Sequence, residues 1–208
     1  RGVVRGVNYR LRQGRYEIFD DAGCVRTRNF LVRLRADFTL ADMREMRDLC
    51  SLPRFESSRI RGFEDCRLFR WKDGWWCSAT VRDLSADGRA TMALLRLDGA
   101  GDIVAAHVLT GFGDGQHQKN WMPLVDHRLR FVYSVGPAIV LDASAGDGSF
   151  IVDSGIDPGV AIDHWRGGSP LLEWGSGHLT LVHEAKDTAQ GREYAHRFVA
   201  MDARCVPV

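Results

Sequence analysis

The sequence predicts an all-β protein of the β-propeller class, because one short pattern of strands and turns recurs along the chain. Four segments share an apolar strand, a tight polar turn, a second apolar strand and, after a loop, a third strand. Corresponding positions recur at about blade spacing: Lys119 follows Asp65 by 54 residues, and Gly168 follows Lys119 by 49. Three or four antiparallel strands in each unit of about 40–55 residues are typical of a propeller blade.

Each repeat supplies its own hairpin and third strand. Glycine, asparagine, aspartate and serine favour tight hairpin turns. The four predicted turns are Gln13-Gly14, Asp73-Gly74, Asp126-His127 and Ser176-Gly177. The predicted third strands begin at Phe30, Thr91, Ala138 and Arg197. All four end on an apolar, a polar and a small residue, which supports the alignment of the repeats.

One segment departs from the strand pattern. Residues 41–50, ADMREMRDLC, predict a short helix with Asp42 near its start. A β-sandwich would also alternate strands with turns, but it would not repeat the same three-strand pattern four times. We therefore predict a single propeller domain over residues 1–208 with about four blades visible. Whether a fifth blade is missing from the chain stays open.

Composition limits the functional classes. The 208 residues suffice for one sizeable core, and 45% hydrophobic with 26% charged residues is a globular composition. The net charge of +1 excludes the concentrated basic surface of a general nucleic-acid binder. No apolar run is long enough to cross a membrane, and the charged start does not resemble a signal peptide. The five scattered cysteines contain no C-x-x-C pair, so we expect reduced thiols, no metal site and a cytoplasmic location.

Superposing the repeats predicts a polar site at one end of the central channel. Arg5, Asp65 and Lys119 fall at nearly the same position as Gly168, eight or nine residues before the turn. After the turn, the second strand of the fourth repeat returns to that end with His183. An acid, a lysine, a histidine and an arginine are thus expected to converge. Because neighbouring side chains on a strand point to opposite faces, Asp65 is expected to face the channel and Glu64 to face away from it.

Each of these residues also has a purely structural interpretation. Asp65 fits a solvated strand start with Arg67 as a surface ion-pair partner, and such a pair stabilises little. Lys119 fits an exposed loop, and His183, flanked by Val182 and Glu184, fits a core histidine.

The polar residues belong to segments that resemble a known family. Residues 62–67, GFEDCR, resemble the Gly-x-Glu-Asp-Pro-Arg motif of glycoside hydrolase family 130. That family contains inverting β-mannoside phosphorylases and β-1,2-mannosidases on a five-bladed propeller. Lys119-Asn120 with Pro123, and residues 167–183, resemble two further segments of the family. Cys66 replaces the motif proline, Met122 the phenylalanine before Pro123, and His178 a tryptophan, so the resemblance is distant.

The resemblance implies sugar-binding roles. Asp65 would be the general acid that protonates the glycosidic oxygen through a sugar hydroxyl, and Glu64 and Arg67 would position the sugar or hold Asp65 in place. The other substrate-binding candidates are Asn120, Trp121 and Tyr194. Trp121 and Trp165 lie beside the polar ring that the repeat alignment predicts, and both are expected to offer a platform, because sugar faces stack on aromatic rings. Tyr194 falls where the family has a tyrosine before its next strand.

The resemblance also implies a phosphate site built from Arg89, Lys119 and His183. A guanidinium fork and point charges suit a phosphate dianion, so inorganic phosphate is the expected co-substrate and no other cofactor is implied.

Two classes of function follow from these patterns. One is a glycoside phosphorylase, hydrolase or mannosyltransferase that acts on an oligosaccharide or sugar phosphate. The other is a non-catalytic glycan-binding or scaffolding module. Fusion to, or association with, a glycosyltransferase is a further alternative.

Overall fold

The computed structural model describes residues 1–12, 15–110, 112–113, 115–126, 128–142, 151–188 and 191–208. Within these ranges the regular structure consists of 18 β-strands without an α-helix, so the all-β prediction is confirmed. None of the described residues forms a helix that could span a membrane. The chain divides into two compact units, Arg1–Leu109 with Gly115–Lys119, and Thr110–Asp114 with Asn120–Val208.

The first unit contains two small four-stranded sheets and a separate hairpin. Its strands are β1 Gly2–Val7, β2 Tyr9–Arg12, β3 Arg15–Ile18, β4 Val25–Leu34, β5 Leu40–Glu45, β6 Ile60–Arg61, β7 Glu64–Trp71, β8 Gly74–Val81, β9 Thr91–Leu97 and β10 Ile103–Leu109. One sheet has the order β1-β4-β5, with β6 paired in parallel to the start of β4. The other is an antiparallel meander in the order β10-β9-β8-β7, and β2 pairs with β3 alone.

The second unit contains two further sheets. Its strands are β11 Met122–Val125, β12 Leu129–Val135, β13 Ala138–Asp142, β14 Ile151–Ile156, β15 Arg166–Gly167, β16 Leu172–Trp174, β17 Gly177–Thr188 and β18 Gly191–Met201. Strands β11 to β14 form an antiparallel meander. In the last sheet, β15 and β16 pair with successive parts of β17, and β18 pairs with β17 over eleven residues.

Alternating apolar side chains give each unit its own core. In the first unit the buried cluster comprises Met46, Phe63, Cys77, Ala79, Val81, Ala93, Leu95, Leu97 and Ile103. In the second it comprises Met122, Leu124, Val132, Val135, Val140, Ile162, Leu171, Val182, Val199, Met201 and Cys205. All five cysteines are free, and three of them are buried.

The predicted helix over residues 41–50 is wrong, because Leu40–Glu45 forms strand β5 on the edge of β4. A helix of about ten residues is marginal unless an amphipathic face packs against the rest of the protein. The edge of β4 instead offers unpaired backbone groups, and the ladder with β5 satisfies them. Tertiary pairing therefore overrides the local helix signal.

All four predicted strand pairs form, but the first pair lies outside the sheet that contains its predicted third strand. Strands β7–β8, β11–β12 and β16–β17 are antiparallel hairpins, and β9, β13 and β18 are their third strands. In the first sheet β1 pairs directly with β4, and the predicted hairpin is the isolated pair β2–β3. Two loops lie one residue earlier than predicted, at Lys72-Asp73 and Gly175-Ser176. Gln13-Gly14 and His127 lie outside the described residues.

Candidate functional site

The segment that leads into Glu64 and Asp65 is fixed by close contacts. Gly62 has φ +92°, and a Cβ at this position would lie 2.7 Å from the carbonyl oxygen of Thr27, so only glycine fits. Phe63 is buried, and its carbonyl oxygen accepts a hydrogen bond from Asn29 Nδ2 at 2.8 Å. The two carboxylates therefore emerge from a rigid turn.

A β-bulge brings the two carboxylates to the same place. Glu64 pairs with Thr80, but Arg67 pairs with Ser78, so β7 carries one extra residue between these pairs. Asp65 lies in this bulge with φ +53°. The bulge breaks the strict alternation of side chains along the strand. The expectation that Asp65 and Glu64 point to opposite faces is therefore wrong.

Both carboxylates bind the guanidinium of Arg5 on β1. Arg5 Nη1 donates to Asp65 Oδ1 at 2.7 Å, and Nη2 donates to Glu64 Oε2 at 2.9 Å. The Glu64 side chain is 11% exposed, whereas that of Asp65 is 52% exposed. The pKa of Arg5 is raised: burial opposes the charged form, but the two carboxylates outweigh it.

Arg82 completes the buried part of this cluster. Its Nε lies 3.6 Å from Glu64 Oε1, too far for a good hydrogen bond. Among the described residues, Glu64 Oε1, Arg5 Nε and Arg82 Nε are buried without a hydrogen-bond partner. Buried polar atoms are normally paired. The cluster thus has unused hydrogen-bonding capacity next to an exposed carboxylate.

Lys119 belongs to the same electrostatic cluster. The backbone before it is held by a hydrogen bond from Gln118 N to Ala90 O at 2.8 Å. Lys119 is exposed as a residue. Partial desolvation nevertheless lowers the pKa of its ammonium group, Arg82 and Arg5 lower it further, and Glu64 and Asp65 oppose the shift. The structure therefore brings Lys119 together with Arg5, Glu64, Asp65 and Arg82.

Arg67 is buried rather than a surface ion-pair partner. Burial lowers its pKa to about 10, although Asp65 partly opposes that shift. Its position on β7, opposite Ser78, places it directly after the bulge.

Arg89 binds within its own turn, and its place in a phosphate site stays a prediction. Its guanidinium binds Asp87 in its own turn, with Nε donating to Asp87 Oδ2 at 2.7 Å. This hydrogen bond holds the pKa of Asp87 well below its usual range. The charges of Arg82 and Arg5 act on Lys119. The repeat alignment had grouped Arg5 with Lys119, whereas Arg82 was not predicted.

In the second unit, Trp121 is not a sugar platform. It is completely buried, and its ring packs 5.9 Å from those of Phe131 and Tyr133. A ring with no exposed face cannot stack on a sugar, so the predicted substrate contact is wrong. Asn120, just before it, has φ +64°, and its carbonyl oxygen packs closely against Gly167.

His183 and Tyr194 lie together on the last sheet. His183 is half-buried on β17, and its ring lies 6.0 Å from His196 and 5.9 Å from Tyr194. Tyr194 is 55% exposed and lies within β18 rather than before it, which corrects the predicted position. A shared phosphate site of His183 with Lys119 stays a prediction.

Sequence reasoning missed Arg82. Thr80 pairs with Glu64 across β7 and β8, so alternation places Arg82, two residues further on, on the side of Glu64. Extending that alternation past the end of β8 would have identified it.

No family model matches the chain, and neither does any curated protein. Among solved structures, a β-1,2-mannobiose phosphorylase from Listeria innocua, determined in complex with β-1,2-mannobiose, is similar with a TM-score of 0.55. The sequences are 14% identical, and the match covers 99% of this chain. The chain spans 66% of the length of that protein. This likeness shows the fold: as the repeats predicted, the chain is a β-propeller.

Proposed function

We propose that this propeller binds a β-linked mannoside at the cluster of Arg5, Glu64 and Asp65, and cleaves it with Asp65 as the proton donor. The observation that carries the proposal is the guanidinium of Arg5, which joins a buried carboxylate to an exposed one. The solved structure of a mannobiose phosphorylase with the same type of fold supports the choice of sugar.

The two carboxylates suit different tasks. Glu64 is buried, and its Oε1 has no hydrogen-bond partner among the described residues, so it can accept a bond from a sugar hydroxyl once the side chains that cover it move aside. Asp65 is half-exposed, so a ligand can reach its carboxyl group. Exposure thus supports Asp65 as the donor and Glu64 as a binding residue. An inverting glycosidase reaction needs one such acid while the nucleophile attacks the opposite face of the sugar.

Phosphate fits the cationic part of the cluster. Arg5, Arg82 and Lys119 supply two guanidinium groups and one ammonium group around the carboxylates. In phosphorolysis the glycosidic C–O bond breaks, a C–O bond to phosphate forms, and the proton of Asp65 passes to the departing sugar oxygen. Arg5 Nη1 donates to Asp65 Oδ1, so the other carboxyl oxygen of Asp65, Oδ2, is the one that carries that proton.

The same contact favours a second candidate, a glycan-binding module without catalysis. Asp65 Oδ1 accepts a hydrogen bond from Arg5 at 2.7 Å, an arrangement that suits a fixed charge pair better than a proton donor. In this alternative Glu64 and Asp65 bind sugar hydroxyls only. Turnover by the wild-type chain separates the two candidates.

The test compares wild type, Asp65→Asn and Glu64→Gln on β-1,2-mannobiose with and without phosphate. Asp65→Asn should reduce turnover by about 10²–10⁴-fold and leave calorimetric sugar binding nearly intact, because general acid catalysis contributes that much. Glu64→Gln should weaken binding. Asp73→Asn, in the exposed β7–β8 turn, is the matched control.

Two outcomes would change the conclusion. Full activity in Asp65→Asn, with loss in Glu64→Gln, would exchange the two roles. Sugar binding by a wild-type chain that releases neither mannose nor mannose 1-phosphate would favour the binding module.

A further inference from the structure

The isolated hairpin β2–β3 has one apolar face and one charged face. Tyr9 pairs with Ile18 and Leu11 pairs with Tyr16, so these four side chains share a face. The other face carries Arg10 and Glu17, which form a two-point ion pair at 2.7 and 3.0 Å. Leu11 is 49% exposed and Tyr16 is 64% exposed. The apolar face is therefore accessible rather than packed into a core.

The hairpin is firmly attached to the first sheet. Asn8 lies between β1 and β2, and its Nδ2 donates to Cys24 O at 2.9 Å. Its Oδ1 accepts from Arg26 N at 2.7 Å, and its carbonyl oxygen accepts from Phe19 N at 2.7 Å. These three hydrogen bonds hold both ends of the hairpin, so the position of its apolar face is fixed by the fold.

Tyr9 connects this face to the carboxylate cluster. It is half-buried at the start of β2, four residues after Arg5, whose guanidinium binds Asp65 and Glu64 at 2.7 and 2.9 Å. The charges of these three residues also act on the Tyr9 hydroxyl. Its ring makes an edge-on contact with Tyr16, with ring centres 5.0 Å apart and planes at 77°. The Tyr9–Tyr16 pair thus begins next to the strand that carries Arg5 and ends in the exposed ring of Tyr16.

We propose that Tyr9 and Tyr16 form the aromatic platform for a sugar ring of the oligosaccharide bound at Asp65. This inference rests on the proposed function. A pyranose ring presents C–H groups on its faces and hydroxyls at its edge, and tyrosine combines an apolar ring with a polar hydroxyl. Small-molecule sites are typically lined by apolar and aromatic side chains beside a few precisely placed polar groups. The pair takes the role that sequence reasoning gave to Trp121, which is buried.

The test measures binding and turnover of β-1,2-mannobiose by the full chain with substitutions at Tyr16. Tyr16→Ala should raise Kd and KM at least tenfold and change kcat less than threefold, because the platform holds the sugar without touching the reacting bond. Tyr16→Phe should restore binding by returning the ring. Phe38→Ala, which removes an aromatic side chain that is 83% exposed outside the hairpin, should change nothing.

Failure of this inference differs from failure of the proposed function. Wild-type affinity in a Tyr16→Ala variant with an unchanged melting temperature would overturn the platform and leave the function standing. A wild-type chain that neither binds nor cleaves β-1,2-mannobiose would overturn both. A loss of affinity in Tyr16→Phe equal to that in Tyr16→Ala would also overturn stacking as the mode of binding.

Discussion

Arg5 and Lys119 determine what the carboxylate pair can bind. Arg5 holds Asp65 and Glu64 through separate guanidinium nitrogens, so the two acids act as one unit in the free protein. Lys119 adds an ammonium group whose charged form is disfavoured by desolvation and by Arg82. A bound dianion would relieve the repulsion among these cations, so the free cluster is well suited to receive one.

We expect Lys119→Ala to weaken the stabilisation that phosphate gives to the native state, because ligand binding raises apparent stability by mass action. Thermal melting at increasing phosphate concentration measures this effect. The contribution of Lys119 to stabilisation by phosphate should disappear as the pH rises through the pKa of Lys119 and its charge is lost. Because that pKa is lowered, the loss should occur at a lower pH than for an ordinary lysine. Lys186→Ala, on an exposed part of β17, is the control. Identical phosphate responses in wild type and Lys119→Ala would remove Lys119 from the site.

At the scale of elements, one bulge and one edge strand set the geometry of the first unit. The bulge in β7 turns Asp65 toward the same arginine as Glu64. Strand β5 extends the first sheet, and just beyond it Arg47 reaches Asp102 before β10. Asp102 is buried, and it also accepts a hydrogen bond from Arg44 Nη2 at 2.7 Å.

The contacts of Asp102 with Arg44 and Arg47 predict that the protein loses stability in acid. Hydrogen bonds from Arg47 hold the pKa of Asp102 well below its usual range. An aspartate whose pKa is lower in the folded state than in the unfolded state stabilises the fold at pH values above its unfolded-state pKa of about 3.9. This stabilisation disappears as the pH falls through the folded-state pKa. Asp102→Asn should therefore be less stable than wild type at pH 7, with the difference shrinking below about pH 4.

Urea denaturation at pH 7, 5 and 3 measures this dependence. Asp21→Asn, at an exposed position, is the control for the substitution itself. A difference between wild type and Asp102→Asn that is constant across this range would mean that the ion pairs with Arg44 and Arg47 do not stabilise the fold.

At the scale of the molecule, burial is divided between the two cores. Leu95 is fully buried in the first core, and Leu124 is 1% exposed in the second. Because the net charge of the chain is only +1, its strong charge interactions are local, as in the cluster around Arg5. Stability therefore depends on tight packing within each unit.

We expect Leu95→Ala and Leu124→Ala each to lower the free energy of unfolding by about 2–5 kcal/mol, because each removes buried methyl groups and leaves a cavity. Chemical denaturation measures both. Leu172→Ala, at a position that is 66% exposed, is the control and should change stability by less than about 0.5 kcal/mol. A loss below 1 kcal/mol at either buried leucine would show that the core there is loosely packed.

Sequence reasoning succeeded where a signal is local or repeats. Alternating apolar residues and turn residues predicted the hairpins β7–β8, β11–β12 and β16–β17, and their spacing predicted the propeller. The alignment also grouped Arg5, Asp65 and Lys119, which the structure brings into one electrostatic cluster. Residues at the same position of successive repeats lie at the same position of successive structural units, so the period of the sequence is enough to predict that they are grouped.

Only the tertiary structure decided the rest. The bulge at Asp65, the burial of Trp121 and the strand conformation of β5 each depend on partners distant in sequence. Arg89 and Arg82 look alike in the sequence, yet one binds its own turn and the other approaches Glu64. The composition and repeats of the chain determined its fold class, whereas register and long-range pairing determined which charges meet at the candidate site.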